Sequence, residues 1–170
     1  MGNVDRFILE EYVDLKIVGI YTFAFSLASS ISFAFQGVSV YLEPLIYKSK
    51  DVAERENKLA YYNKFALLGG SILFIIITGS SEFVISHFFS SDYLASIPFI
   101  PIIGLGHLFM PFYFKANYRL VYNKKPMSIA QISISTAVIS IALNLIFIPI
   151  FGVWAAAIIS FSSLFLLSFL

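Results

Sequence analysis

Long apolar stretches alternate with short charged ones along this chain, at a spacing set by the thickness of a lipid bilayer. Five stretches can be compared with the ~20 residues that a helix needs to cross the hydrocarbon core. The first starts near Ile17 and runs to Tyr47, with Glu43 as its only charge. It is too long for one perpendicular crossing, and Pro44 is expected to mark its end near the headgroups. The second covers about Tyr62–Ser80. The third, about Ser96–Phe114, is expected to be broken up by Pro98, Pro101, Gly104, Gly106 and Pro111. The fourth is Met127–Ile148 and the fifth Val153–Leu170, divided at a tight hairpin by Pro149 and Gly152. The pattern predicts an all-α integral membrane protein, a bundle of about five transmembrane helices.

Charge sets the orientation. Nine of the eleven Lys/Arg residues fall within Lys48–Lys64 and Lys115–Lys125, which hold five and four of them. Basic loops resist translocation, so these two windows should face the cytoplasm. The segments Ser81–Ala95 and Pro149–Gly152 hold no Lys or Arg and should lie outside. With five spans, the N-terminal stub is then external and the C-terminus internal. Met1–Leu15 offers no means of carrying itself across, so the chain reads as a piece of something larger. Residues 1–16 form an external stub, the end of a truncated preceding helix, and residues 17–170 form the bundle. The stub is not a signal peptide, because Asp5, Glu10, Glu11 and Asp14 occupy the place of a basic n-region.

Composition narrows the chemistry. A mean hydropathy of +0.86, with 59% hydrophobic and 12% charged residues, excludes an ordinary soluble domain, which carries about 25% charge. Cysteine is absent, which removes thiolate metal sites, disulfides and cysteine catalysis together. No basic surface points to nucleic acid, and no cofactor is implied. His87 and His107 are twenty residues apart without a carboxylate at ligand spacing. His107 either faces a cavity in the third span or is hydrogen-bonded between helices. Serine is plentiful, but no G-x-S-x-G context accompanies it.

Small and aromatic residues supply packing and anchoring. Ala24, Ala28 and Ser32 are spaced by four, as are Gly152, Ala156 and Ser160, a spacing that lets helix backbones approach in lipid. Tyr41, Tyr47, Tyr61, Tyr62, Tyr118 and Tyr122 cluster near the expected cytoplasmic boundary, where amphipathic rings favour the interface.

The order of local patterns resembles a known family. Asp5-Arg6-Phe7-Ile8-Leu9 resembles the end of the seventh helix of the polysaccharide biosynthesis flippases. These are the Wzx-type translocases of lipid-linked oligosaccharides within the wider MOP exporter superfamily. Val18-Gly19-Ile20-Tyr21, followed by small and apolar residues to Pro44, resembles the eighth helix. The segment Phe88–Ala95 resembles the external link between the next two, and Asn144–Gly152 followed by Ala155-Ala156-Ala157 resembles the hairpin before the twelfth. Ser90 and Ala155 stand where family members often carry glycine, which bears on packing only. The resemblance implies the C-terminal lobe of a MOP-type transporter, with the other half supplied by the missing N-terminal part or by a second copy.

What the resemblance implies functionally is translocation of an undecaprenyl-diphosphate-linked oligosaccharide across the bacterial inner membrane, for O-antigen, capsule or exopolysaccharide assembly. Such a protein needs no covalent chemistry. Cations near the pathway would attract the diphosphate, and arginine suits it through its planar fork. Arg6, beside Asp5 and expected at the external end of its helix, is the first candidate; an ion pair with Asp5 would make it an anchor instead. Lys115 and Arg119 are candidates at the cytoplasmic entrance, or are ordinary positive-inside charges. Gln36 and Asn117 are polar groups at or within spans and should face the bundle. Asn144 is expected to serve the hairpin. Competing readings are a multidrug or toxin exporter of the same superfamily, an integral-membrane glycosyltransferase or polymerase, and a non-functional fragment.

Overall fold

A computed structural model describes residues 4–169 and is helical almost throughout, with no strand among those residues. The helices are α1 (Val4–Tyr12), α2 (Leu15–Ser29), α3 (Ser32–Tyr47), α4 (Val52–Phe88), α5 (Phe99–Tyr122), α6 (Pro126–Phe151) and α7 (Val153–Phe169). A short 3₁₀ segment, Ser91–Ser96, joins α4 to α5. The outermost residues of the expected stub and of the fifth span, 1–3 and 170, lie outside the described residues. Leu15–Tyr47, α4, α5 and α6 are each long and apolar enough to cross a membrane, and Val153–Ser168 is a shorter apolar helix. The molecule is therefore an all-α membrane bundle of the expected kind.

Its local architecture differs from the sequence expectation where proline and serine are concerned. The first span bends at Ser30–Ile31, where it divides into α2 and α3. Ser26, Ser29 and Ser30 turn their hydroxyls back onto the carbonyls of Thr22, Ser26 and Ser26, at 2.8, 2.9 and 3.1 Å. Such back-bonding competes with the helical ladder and bends it. Pro44 does not end the span, since α3 continues to Tyr47. The third span is not broken either. Pro98 caps α5 and Pro101 sits in its first turn, where backbone N–H groups have no helical acceptor to lose. Gly104 and Gly106 serve close packing. A Cβ on Gly106 would stand 3.2 Å from the Cα of Phe161, and one on Gly104 would stand 3.1 Å from Ile31 and Phe74. Pro149 likewise lies within the last turn of α6, and the hairpin turns at Gly152 alone, with φ +56° and ψ −133°.

α4 runs for 37 residues, about 55 Å at 1.5 Å per residue, so it projects beyond a ~30 Å hydrocarbon core. Its start is fixed by Asp51, whose carboxylate accepts the Glu54 N–H at 2.6 Å. That is the N-cap arrangement which satisfies an otherwise orphaned donor.

α5 is the central element. It packs against α7, α4 and α2, while α3 lies on α4, and α6 covers α7 and α1. Two cores result. One joins Leu9, Tyr21, Ala24, Ala28, Ile100, Ile103, Ile148 and Ala156. The other joins Ile31, Phe35, Ile46, Leu59, Tyr62, Ala66 and Tyr118. The small residues Ala24, Ala28 and Ala156 are fully buried, as a packing role requires.

The two ends of the bundle differ in charge. At one, Lys16 pairs with Asp92 at 2.8 Å, and Gly152 lies beside Val13. At the other, Arg119 pairs with Glu56 through two nitrogens, and the Tyr122 hydroxyl reaches the Ser49 carbonyl at 3.5 Å. This second end gathers the two lysine-rich windows.

Candidate functional site: a buried carboxylate between four helices

α1 supplies the one aspartate of the described residues that is withdrawn from solvent. Asp5 is 4% exposed, although a carboxylate in an apolar interior is costly unless its oxygens are hydrogen-bonded. Here they are. Oδ2 accepts from the Tyr21 hydroxyl of α2 and from Ser160 Oγ of α7 at 3.1 Å, while Oδ1 accepts from the Arg6 N–H at 3.0 Å. The Tyr21 and Ser160 hydroxyls lie 2.9 Å apart. Each has one proton and each aims it at the carboxylate. Hydrogen bonds to a charged acceptor contribute about 1.5–3 kcal/mol apiece, so the three together offset much of the burial cost.

Depth follows from counting residues. Asp5 stands eight residues before Val13, Asn144 eight before Gly152, and Ser160 eight after it. Val13 and Gly152 share one end of the bundle. All three side chains therefore lie about 12 Å along the helices from that end.

A cavity of about 150 Å³ opens beside the carboxylate, between α1, α2, α6 and α7. Its polar lining is Asp5, Ser140, Asn144, Ser160 and Ser163. Asn144 is 3% exposed and donates weakly from Nδ2 to Ser140 Oγ at 3.5 Å, while its Oδ1 has no hydrogen-bond partner. An orphaned buried acceptor of this kind costs about 1–3 kcal/mol. A water needs about 10–15 Å³ of such space, so the cavity is roomy enough for several waters. Carboxylate, amide and hydroxyl oxygens are the donor set of hard cations, and a carboxylate at this depth is equally a proton acceptor.

The expected site residues do not converge. Asp5 lines the cavity and Arg6 does not, and Arg6 makes no ion pair with Asp5. Its guanidinium lies over Phe25, 5.2 Å from the ring centroid, and its Nε is buried without a hydrogen-bond partner. Arg6 also lies seven residues before Val13 and not at the external helix end, because α1 runs on to Tyr12. Gln36 is on the exposed side of α3. Lys115, Asn117 and Arg119 belong to the last turns of α5 at the basic end, where Arg119 is held by Glu56 at 2.9 Å. Asn117 faces Tyr113 and Ile132 in a small gap between α5 and α6.

Two further expectations are corrected, and one pair of alternatives is resolved. Asn144 serves the cavity and not the hairpin, since its side chain points between α6 and α1. Tyr62 and Tyr118 are not interface anchors: both are buried, with hydroxyls in a chain that runs from Tyr62 through Ser39 to Tyr118 and Glu43. His107 is the inter-helix histidine of the two alternatives, with Nδ1 at 3.1 Å from Ser32 Oγ.

Sequence reasoning missed Tyr21, Ser140, Ser160 and Ser163 as site residues. The available signal was the four-residue spacing of Ser140 to Asn144, which puts both on one face of α6. The arrangement as a whole defines a class: an all-helical, multi-pass membrane bundle with a buried carboxylate beside a mostly apolar cavity that carries a few polar groups. No family model, curated protein or solved structure matches the chain.

Proposed function

We propose that this bundle is one lobe of an ion-coupled transporter of the bacterial inner membrane. Its cargo is a polyprenyl-diphosphate-linked oligosaccharide destined for O-antigen, capsule or exopolysaccharide. The substrate class rests on the resemblance to Wzx-type flippases. The transport reading rests on one observation, Asp5. An ionisable group at this depth is expensive to keep, and in membrane proteins such groups mark ion and proton pathways. A proton or cation on Asp5 would free one of the two hydroxyls that converge on it, and so alter the contact between α1, α2 and α7. That change is the lever for rocking one bundle against another around a central site. The facing lobe is a preceding part of the protein or a second copy. The positive-inside rule puts the lysine-rich end in the cytoplasm.

The test uses a strain whose surface polysaccharide depends on the transporter that contains this bundle. Asp5→Asn keeps the size of the side chain, removes its charge and turns one of its two acceptor oxygens into a donor. At equal protein abundance it should lower surface polysaccharide at least tenfold and raise the lipid-linked intermediate in the membrane. Full export from a well-expressed Asp5→Asn protein would refute ion coupling at this cavity. Arg6→Lys tests the substrate arm: export should fall if the fork binds diphosphate, and stay normal if only a cation over Phe25 is needed.

A further inference from the structure

The basic end carries more positive charge than the chain's own carboxylates take up. Asp51 is spent on the α4 cap, Glu54 pairs with Lys58 at 2.6 Å, Glu56 holds Arg119, and Glu43 accepts from Tyr118 at 3.3 Å. Arg55 is occupied by the Tyr122 ring, with 3.5 Å from its guanidinium carbon to the centroid. Among the described residues, Lys48, Lys50, Lys64, Lys115, Lys124 and Lys125 then have no carboxylate within ion-pair distance.

Lys64 differs from the rest in what continues beyond it. With Asn57, Ala60 and Tyr61 it bounds a surface cavity of about 300 Å³ on the outward face of α4. The same helix then presents Phe65, Leu68, Ile72, Ile75 and Ile76, each more than half exposed. From Lys64 to Ile76 is twelve residues, about 18 Å of helix, close to half of a ~30 Å hydrocarbon core. The face is thus a cationic, hydrogen-bonding head on an apolar stem one leaflet long.

We propose that this face of α4 binds one acidic glycerophospholipid. The headgroup phosphate sits against the Lys64 ammonium, with the Asn57 amide and Tyr61 hydroxyl as further donors, and an acyl chain lies along Phe65, Leu68 and Ile72. Lys64 reaches the headgroup layer while its methylenes stay on the apolar surface. The inference is independent of what the bundle transports.

The experiment is native mass spectrometry of the detergent-purified chain, titrated with phosphatidylglycerol and with phosphatidylcholine of identical acyl chains. A lysine near the surface favours an anionic lipid by about fivefold in affinity, and that preference for phosphatidylglycerol is the expected result. Lys64→Gln should abolish most of it, Lys64→Arg should keep it, and Lys124→Gln, at the same end but off this face, should leave it unchanged. Equal binding of the two lipids overturns the proposal. So does a preference that survives Lys64→Gln, which would reflect the general charge of the rim. If Lys64→Gln yields no folded protein, Lys64→Ala takes its place as the neutral variant, and an unchanged preference there overturns the proposal equally. A polyprenyl phosphate that displaces phosphatidylglycerol from this face at lower concentration would show a different occupant and also refute the assignment.

Discussion

Gly70 is where α4 lets the ring of Phe35 through. A Cβ at this position would stand 2.6 Å from Phe35 Cε1, 3.1 Å from its Cζ and 3.3 Å from Leu108 Cδ2. Carbon atoms at rest keep about 3.5–4.0 Å, so Gly70→Ala forces the ring back by roughly 1 Å. Phe35 is 1% exposed and enclosed in the α3–α4–α5 core, which leaves it little room to retreat. Overpacking of this kind costs typically 1–3 kcal/mol. Alanine also returns up to about 1 kcal/mol through backbone entropy in a helix, so the single variant alone would underreport the clash. Gly37, in the middle of α3 and with nothing within 4 Å of its would-be Cβ, is the control. Both substitutions gain the same helix propensity, so their difference isolates the steric term. Gly70→Ala should be less stable than Gly37→Ala by about 1–3 kcal/mol in reversible unfolding by SDS in mixed micelles, followed by far-UV circular dichroism. Phe35→Leu should recover part of that loss in the Gly70→Ala background, because the two sites share one contact. A Gly70→Ala protein as stable as Gly37→Ala would refute the packing argument.

Two other substitution sets test the hairpin and the topology. Gly152 has a backbone conformation that side chains rarely adopt, so Gly152→Ala should cost about 1–3 kcal/mol, whereas Pro149→Ala, inside α6, should be neutral or stabilising by the same unfolding measurement. The chain has no cysteine of its own, so single-cysteine labelling has a clean background: Ser91→Cys should react with an impermeant maleimide in intact spheroplasts and Ala53→Cys only after permeabilisation, and the reverse pattern would invert the orientation.

The membrane class was legible before any coordinates, because apolar stretches of crossing length and sorted lysines are properties of the sequence itself. The start of α4 departs from the expectation: the helix begins at Val52, inside the expected basic loop, because Asp51 accepts the Glu54 N–H as an N-terminal cap. Helix ends at proline were misread for two reasons: a proline's missing N–H costs nothing in a first turn, where no helical acceptor awaits it, and one lost bond further on, as at Pro111 within α5, need not end a helix. Pro98 and Pro101 fall at the start of α5, where no acceptor is lost. Pro44 and Pro149 lie in last turns, where the remaining bonds carry the helix on.

Tertiary structure alone decided which polar groups meet. Asp5 finds Tyr21 and Ser160 at sequence separations of 16 and 155, and no local pattern encodes the second. The deeper reason is that lipid is as apolar as a protein core, so hydropathy does not say which side of a membrane helix faces inward. Tyr62 and Tyr61 are adjacent in sequence, yet one is fully buried and the other 58% exposed. Asn144 reads as a hairpin residue until α1 is laid against α6. Only the packing of the helices, which gives each buried oxygen its partner or leaves it without one, separates a site from a span.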